Sequence, residues 1–238
     1  MILKVATLLA SVFSVAAQTA FQNLNFEQAN PILTAGGPFP GQDVTFASAF
    51  PGWEAFCGTD QQTYALQNDS TLNFAFVDIL GPTPPSPMAL PNDAPGIIDG
   101  NYTAVIQAGP HGGTGTIAST SLEQTGTIPL GDNSLLFRAW AGQSTPASAW
   151  FVSFAGNTLP LTVLASTPQY TLYGADISAY SGDTGLLAFT ANAQFAPSFL
   201  ELDDITFSAS SAPEPSPAIL AALGGFIFAT FHRKTPSR

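Results

Sequence analysis

Positive charge is almost missing from the interior of this sequence. Of its 238 residues only five are Lys or Arg. Lys4 stands near the start, and Arg233, Lys234 and Arg238 stand at the end. Arg138 is the one cation between Gln18 and Ala212, a span that holds every acidic residue except Glu214 and carries a net charge of −14. Such a surface repels phosphate, which excludes nucleic acid as a partner. It leaves divalent cations open.

Cysteine is also scarce. Cys57 is alone, so no disulfide forms within the chain. A single cysteine with no His or cation near it in sequence reads as a small buried hydrophobe and not as a reactive thiolate. Helical periodicity is missing too: no interior segment keeps an apolar 3.6-residue spacing over ten positions. No nucleophile elbow and no phosphate-binding loop is present. His111 lies in the Gly-rich stretch Pro110-His111-Gly112-Gly113 and reads as a solvated loop histidine.

Long apolar runs occur only near the two ends. Lys4 followed by the apolar stretch Val5 to Val15, then Val15-Ala16-Ala17, has the order of a secretory signal peptide over residues 1–17, with the mature chain starting at Gln18. At the other end Pro213-Glu214-Pro215 is stiff and extended. Ala218 to Phe231 is apolar or small throughout, and His232, Arg233 and Lys234 follow. This run is about 21 Å long as a helix, short of the roughly 30 Å of a bilayer core. The trailing positive charge favours a cytoplasmic C-terminus.

These three parts in this order, over residues 212–238, resemble the PEP-CTERM sorting signal of Gram-negative bacteria. The resemblance implies an apolar helix over about 217–231, a basic end at 232–234, and Pro213, Glu214 and Pro215 as the sorting motif. It also implies handling by an exosortase-like enzyme after export and signal-peptidase cleavage. The protein would be held for a time at the inner membrane and then reach the cell surface or the extracellular polysaccharide.

Between the two end segments, residues 18–209 read as one all-β domain, a jelly-roll β-sandwich. Short apolar or alternating runs recur with Gly and Pro turns between them. Expected strands are Phe21–Glu27, Asp43–Phe50, Gln62–Gln67, Leu72–Leu80, Asn101–Ala108, Ile117–Ile128, Ser134–Trp140, Gln169–Tyr173, Leu186–Thr190 and Phe199–Ser208. Ala149–Ala155 and Leu159–Ala165 read as a hairpin around Gly156-Asn157. The six prolines between Gly81 and Gly96 exclude a central strand or a helix there and mark a long loop.

The most informative interior run is Phe199-Leu200-Glu201-Leu202-Asp203-Asp204-Ile205-Thr206-Phe207. Adjacent strand residues point to opposite faces, so only one of Asp203 and Asp204 faces inward. A buried carboxylate is costly unless paired, ligated or hydrogen-bonded, and this span has almost no cation to pair with it. Two solutions are open: a hard cation such as calcium with Glu27 as a further oxygen ligand, or a wet strand edge bonded to loop N–H groups.

Asn25-Phe26-Glu27, Pro51-Gly52-Trp53, Gly100-Asn101-Tyr102, Leu122-Glu123-Gln124-Thr125 and Leu202-Asp203-Asp204-Ile205, in that order, resemble the galactose-binding-like β-sandwich domains, carbohydrate-binding modules among them. The resemblance covers about Phe21 to Ser208. It implies a structural calcium at Glu27, Asp203 and Asp204. Sugar binding needs exposed aromatic faces beside polar groups. Trp140 and Trp150 lie in apolar strands and read as core, and Trp53, after a Pro-Gly turn, is the candidate ligand residue.

The sequence therefore leads to an exported surface or matrix protein, non-catalytic, with glycan as the candidate ligand. The alternative is a secreted polysaccharide-active hydrolase using Asp and Glu. No catalytic residue is assigned.

Overall fold

The computed structural model describes residues 20–37, 43–69, 74–82, 95–112, 115–141 and 147–211. The signal peptide, the sorting motif Pro213, Glu214 and Pro215 with the rest of the tail, and most of the proline-rich loop lie outside the described residues.

Fifteen strands are described. First come β1 (Asp43–Thr45), β2 (Glu54–Cys57), β3 (Asp60–Gln61), β4 (Tyr64–Gln67) and β5 (Phe76–Leu80). Next are β6 (Thr103–His111), β7 (Thr116–Ala118), β8 (Thr120–Thr127), β9 (Ser134–Trp140) and β10 (Trp150–Phe154). The last are β11 (Asn157–Thr158), β12 (Thr162–Ser166), β13 (Thr171–Asp176), β14 (Thr184–Ala191) and β15 (Ser198–Ser208). One sheet runs β1-β4-β5-β6-β15-β9-β13-β12, with β7 attached to β6; the other runs β11-β10-β14-β8-β2-β3. The two sheets make the all-β sandwich that the strand spacing predicts.

Alternation builds the interface between them. β8 and β10 bury every second residue: Thr120, Leu122, Gln124 and Gly126 on one, Trp150, Val152 and Phe154 on the other. Leu122, Trp150, Val152 and Phe154 join Phe137, Phe189, Trp53, Phe26 and Phe50 in one continuous core. Phe137 and Phe189 pack edge to face, with ring centroids 5.3 Å apart, the arrangement that aromatic quadrupoles favour. β5 is buried along its whole length, unlike a strand with one wet face. On its outer side Leu80, Val105 and Phe199 form a second, smaller cluster with Ile97 and Trp140. Trp140 is therefore half-buried on the outer face of the larger sheet, while Trp150 is in the core as expected.

Several local expectations fail for a shared reason: side chains reaching far along the chain outweigh local period. Phe21–Glu27 is not a strand. Asn23 and Phe26 have φ of 50° and 57°, and the segment turns so that Phe26 enters the core with no exposure. Asn23 Oδ1 accepts from Gln28 N at 2.9 Å and holds that turn. Asp43–Phe50 is a strand only to Thr45; Phe46–Ala49 is one helical turn that buries Phe46 and Ala49. The expected hairpin is shorter: β10 pairs with β11, and β12 crosses to the other sheet to pair with β13. Leu159, only 4% exposed, and Pro160, which lacks an N–H, sit at the crossing.

Candidate functional site

The turn at residues 23–28, the loop at 99–102 and β15 meet at one corner, and they bring the expected Glu27, Asp203 and Asp204 to the same neighbourhood. Glu27 Oε1 accepts from the backbone N–H of Asn101 (2.7 Å) and Tyr102 (2.9 Å), and Oε2 from Asn101 Nδ2 (2.9 Å). Partial burial would raise this carboxyl, but the Asn101 side chain and the two backbone donors overcome it and hold it below the usual carboxylate value. The approach requires Gly100: its φ is +59°, and a Cβ there would collide with the Glu27 carboxylate.

Asp203 is 1% exposed. Its Oδ2 accepts from Thr103 Oγ1 at 2.7 Å and from Asp99 N at 3.2 Å, and its Oδ1 from Asp204 N at 2.7 Å. Burial still pushes it up to about 7. Asp204 turns the other way, at φ 48°, where the β15–β9 register shifts between Asp203 and Thr206. There it meets Arg138 Nη2 at 3.3 Å, while Arg138 Nη1 holds Asp99 Oδ2 at 3.0 Å. The Tyr170 ring lies 5.0 Å from the guanidinium carbon. The single cation of the domain is thus engaged at this corner.

The Glu27 and Asp203 oxygens face N–H and O–H donors, which repel a cation. Among the described residues no group of three or more His, Cys, Asp or Glu is placed to hold a metal ion. Calcium does not fit this donor arrangement as it stands, whereas loop N–H donors account for the Glu27 and Asp203 contacts given above. The corner is not wet at Asp203, which is buried.

A second set of carboxylates escaped the sequence reading. Asp78 on β5 and Glu201 on β15 both pair with Val105 on β6, one from each side. Both are fully buried. Asp69 N donates to Asp78 Oδ2 at 2.9 Å, but among the described residues Asp78 Oδ1 and both Glu201 oxygens lack a partner in good hydrogen-bond geometry, the Gly96 backbone N–H giving Glu201 only partial relief. Burial, with Asp78 as neighbour, pushes Glu201 up to about 9, and burial pushes Asp78 up to about 7. The available signal was that Glu201 lies two residues from Asp203 and so shares its face.

Away from this corner, a cavity of about 300 Å³ opens between β4, β5 and the end of β6. β4 and β5 pair, in parallel, only at Leu66↔Asp78 and Gln67↔Ile79. Their preceding residues diverge, and the gap is lined by Gln62, Tyr64, Phe74, Phe76, Pro110 and His111 among others. The Phe74 segment is fixed by Gln107 Nε2 donating to Phe74 O (3.0 Å) and Ala75 N donating to Pro110 O (3.0 Å). His111 is not the solvated loop residue expected: it ends β6 and pairs with Asp60 Oδ2 at 3.0 Å.

Trp53, the candidate ligand residue, is elsewhere. It is 5% exposed, donates from Nε1 to Asn23 O at 3.1 Å and packs on Phe26 at 5.7 Å. Its face is covered by core rings, so it offers no stacking platform. Cys57 is buried, and burial pushes its thiol up to about 11, which leaves it unreactive near neutral pH.

No protein-family model matches this chain, and no curated protein does. Among solved structures, the Stig cyclase Fisc from Fischerella sp. TAU, in complex with an indole-bearing ligand, is similar at a TM-score of 0.43 and 14% identity. That match covers 82% of this chain and 98% of the cyclase. An apo cyclase from Fischerella sp. is similar at the same TM-score and 13% identity, covering 83% and 98%. At that distance neither relationship passes an activity or a ligand to this chain.

Proposed function

We propose that this chain is an exported, non-catalytic protein of the cell surface or extracellular matrix, carried by a leader and a PEP-CTERM-like tail, with glycan as its ligand. The observation that carries the proposal is the placement of charge and apolar runs. Four of the five cations lie in the two end segments, beside the two long apolar runs, and the acidic strands lie between them. The tail parts follow the order of a sorting signal, so the partners are the export machinery, signal peptidase, an exosortase-like enzyme and, for a time, the inner membrane. Among the described residues no helix is long and apolar enough to cross a membrane.

Binding is favoured over hydrolysis by where the acids sit. A glycosidase needs two carboxyls flanking the substrate bond. Asp78, Glu201 and Asp203 have the raised values such chemistry uses, yet each is 1% exposed or less, and no Asp or Glu lines the cavity.

The test is the mass of the mature protein isolated from the medium or the cell surface. Loss of the residues after about Glu214 is expected, together with removal of 1–17. Secreted protein that still ends at Arg238 would overturn the sorting reading.

A further inference from the structure

The cavity between β4 and β5 takes no part in the sorting tail or in the carboxylate corner, and its chemistry points to one kind of occupant. Its walls are aromatic: Tyr64, Phe74 and Phe76 line it, and Phe74 is 45% exposed. Its polar groups are Gln62 and His111, and His111 carries the exposed carboxylate of Asp60 at the rim. Tyr64 is pushed up from its ordinary value by burial first and by the nearby Asp43 next, and among the described residues no Lys or Arg lines the cavity. Arg138, the one cation between Gln18 and Ala212, is engaged with Asp99 and Asp204.

We propose that this cavity binds a single sugar ring bearing a free amine, a refinement that rests on the glycan reading above. The volume is at the small end of ligand pockets, roughly 300–1,000 Å³, which suits one ring and not a long groove. Aromatic walls take the apolar C–H face of a pyranose. A negative field repels uronic or sulfated sugars and attracts an ammonium group. That cation gains further over an aromatic face. The hydrogen bonds at Phe74 O and Ala75 N hold one wall in place before a ligand arrives, which lowers the ordering cost of binding.

Isothermal titration of the mature protein with a glucosamine disaccharide, its N-acetylated form and a uronic-acid disaccharide tests this. The amine form should bind, and Tyr64→Ala and Phe74→Ala should each weaken it by about tenfold, equal to about 1.4 kcal/mol. Neither substitution changes net charge, so general attraction between a cation and an acidic protein survives both. Phe74 is exposed enough that its variant should fold, which circular dichroism checks. Unchanged affinity in both variants would show attraction to the surface alone and overturn the site. Equal or tighter binding of the N-acetylated or acidic sugar would overturn the choice of an amine. A glycan-array hit that neither variant touches would sink the site and leave the glycan reading standing. Absence of any glycan hit would remove both.

Discussion

At the scale of single residues, the buried acids Asp78, Glu201 and Asp203 set how this domain responds to pH. Each has a pKa raised in the folded state, from 4.5 to about 9 for Glu201 and from 3.8 to about 7 for Asp78 and Asp203. Desolvation disfavours the ionised form in the fold more than in the unfolded chain. The unfolded state therefore gives up these protons first. Their contribution is fully present below the unfolded values near 4 and is lost as pH rises through 7 and then 9. Thermal melts from pH 4 to pH 10 should show a falling Tm across that window. Glu201→Gln keeps the shape, removes the ionisation, and should flatten the alkaline end of the profile. A Tm that rises with pH over the same range would contradict the burial of these groups.

At the scale of elements, the corner where residues 23–28, 99–102 and β15 meet is closed by directed hydrogen bonds. Ile205 N donates to Leu24 O at 3.0 Å and ties the turn to β15. Glu27 holds two loop N–H groups, and Asp203 holds the Asp99 N–H from the other side. A carboxylate that accepts several N–H bonds needs no metal to be satisfied. Addition of a strong chelator is therefore expected to leave Tm unchanged, and added calcium to leave it unchanged as well. A drop of several degrees in chelator, restored by calcium, would show that Glu27, Asp203 and Asp204 reorganise around an ion and would reinstate the calcium reading.

At the scale of the whole molecule, the described strands close their own core. Phe26, Phe50, Phe137, Phe154 and Phe189 are fully buried within residues 20–211. A chain ending at Ser211 should therefore melt at the same temperature as one carrying the tail, while losing membrane association in cells. A marked fall in Tm on truncation would mean that the apolar tail packs on the sandwich, and would count against its role as an address. The strongly negative charge acts at this scale too: it keeps such a domain soluble and repels polyanions, but it does not choose among neutral or cationic partners.

What the sequence determined by itself was the part governed by local rules. Short apolar runs bounded by Gly, Pro and Asn turns made Ser134–Trp140 legible as a strand with the bounds found, and Leu186–Thr190 and Phe199–Ser208 to within a residue or two. The turns at Gly131 and Gly156 were legible because φ of 93° and 80° suits glycine. The all-β class followed from the same short runs. The tertiary structure decided what depends on distant partners. Phe26 and Trp53 both sit beside turns, and only packing puts them in the core, Phe26 against Phe50 and Trp53, and Trp53 against Phe189. Asp78 and Glu201 are 123 positions apart in the chain, and only the β5-β6-β15 order sets them on either side of Val105. Arg138 was legible as a lone cation, but its partners Asp99 and Asp204 come from separate segments. The cavity arises where β4 and β5 stop pairing. Strand pairing is non-local, so no window of sequence contains it.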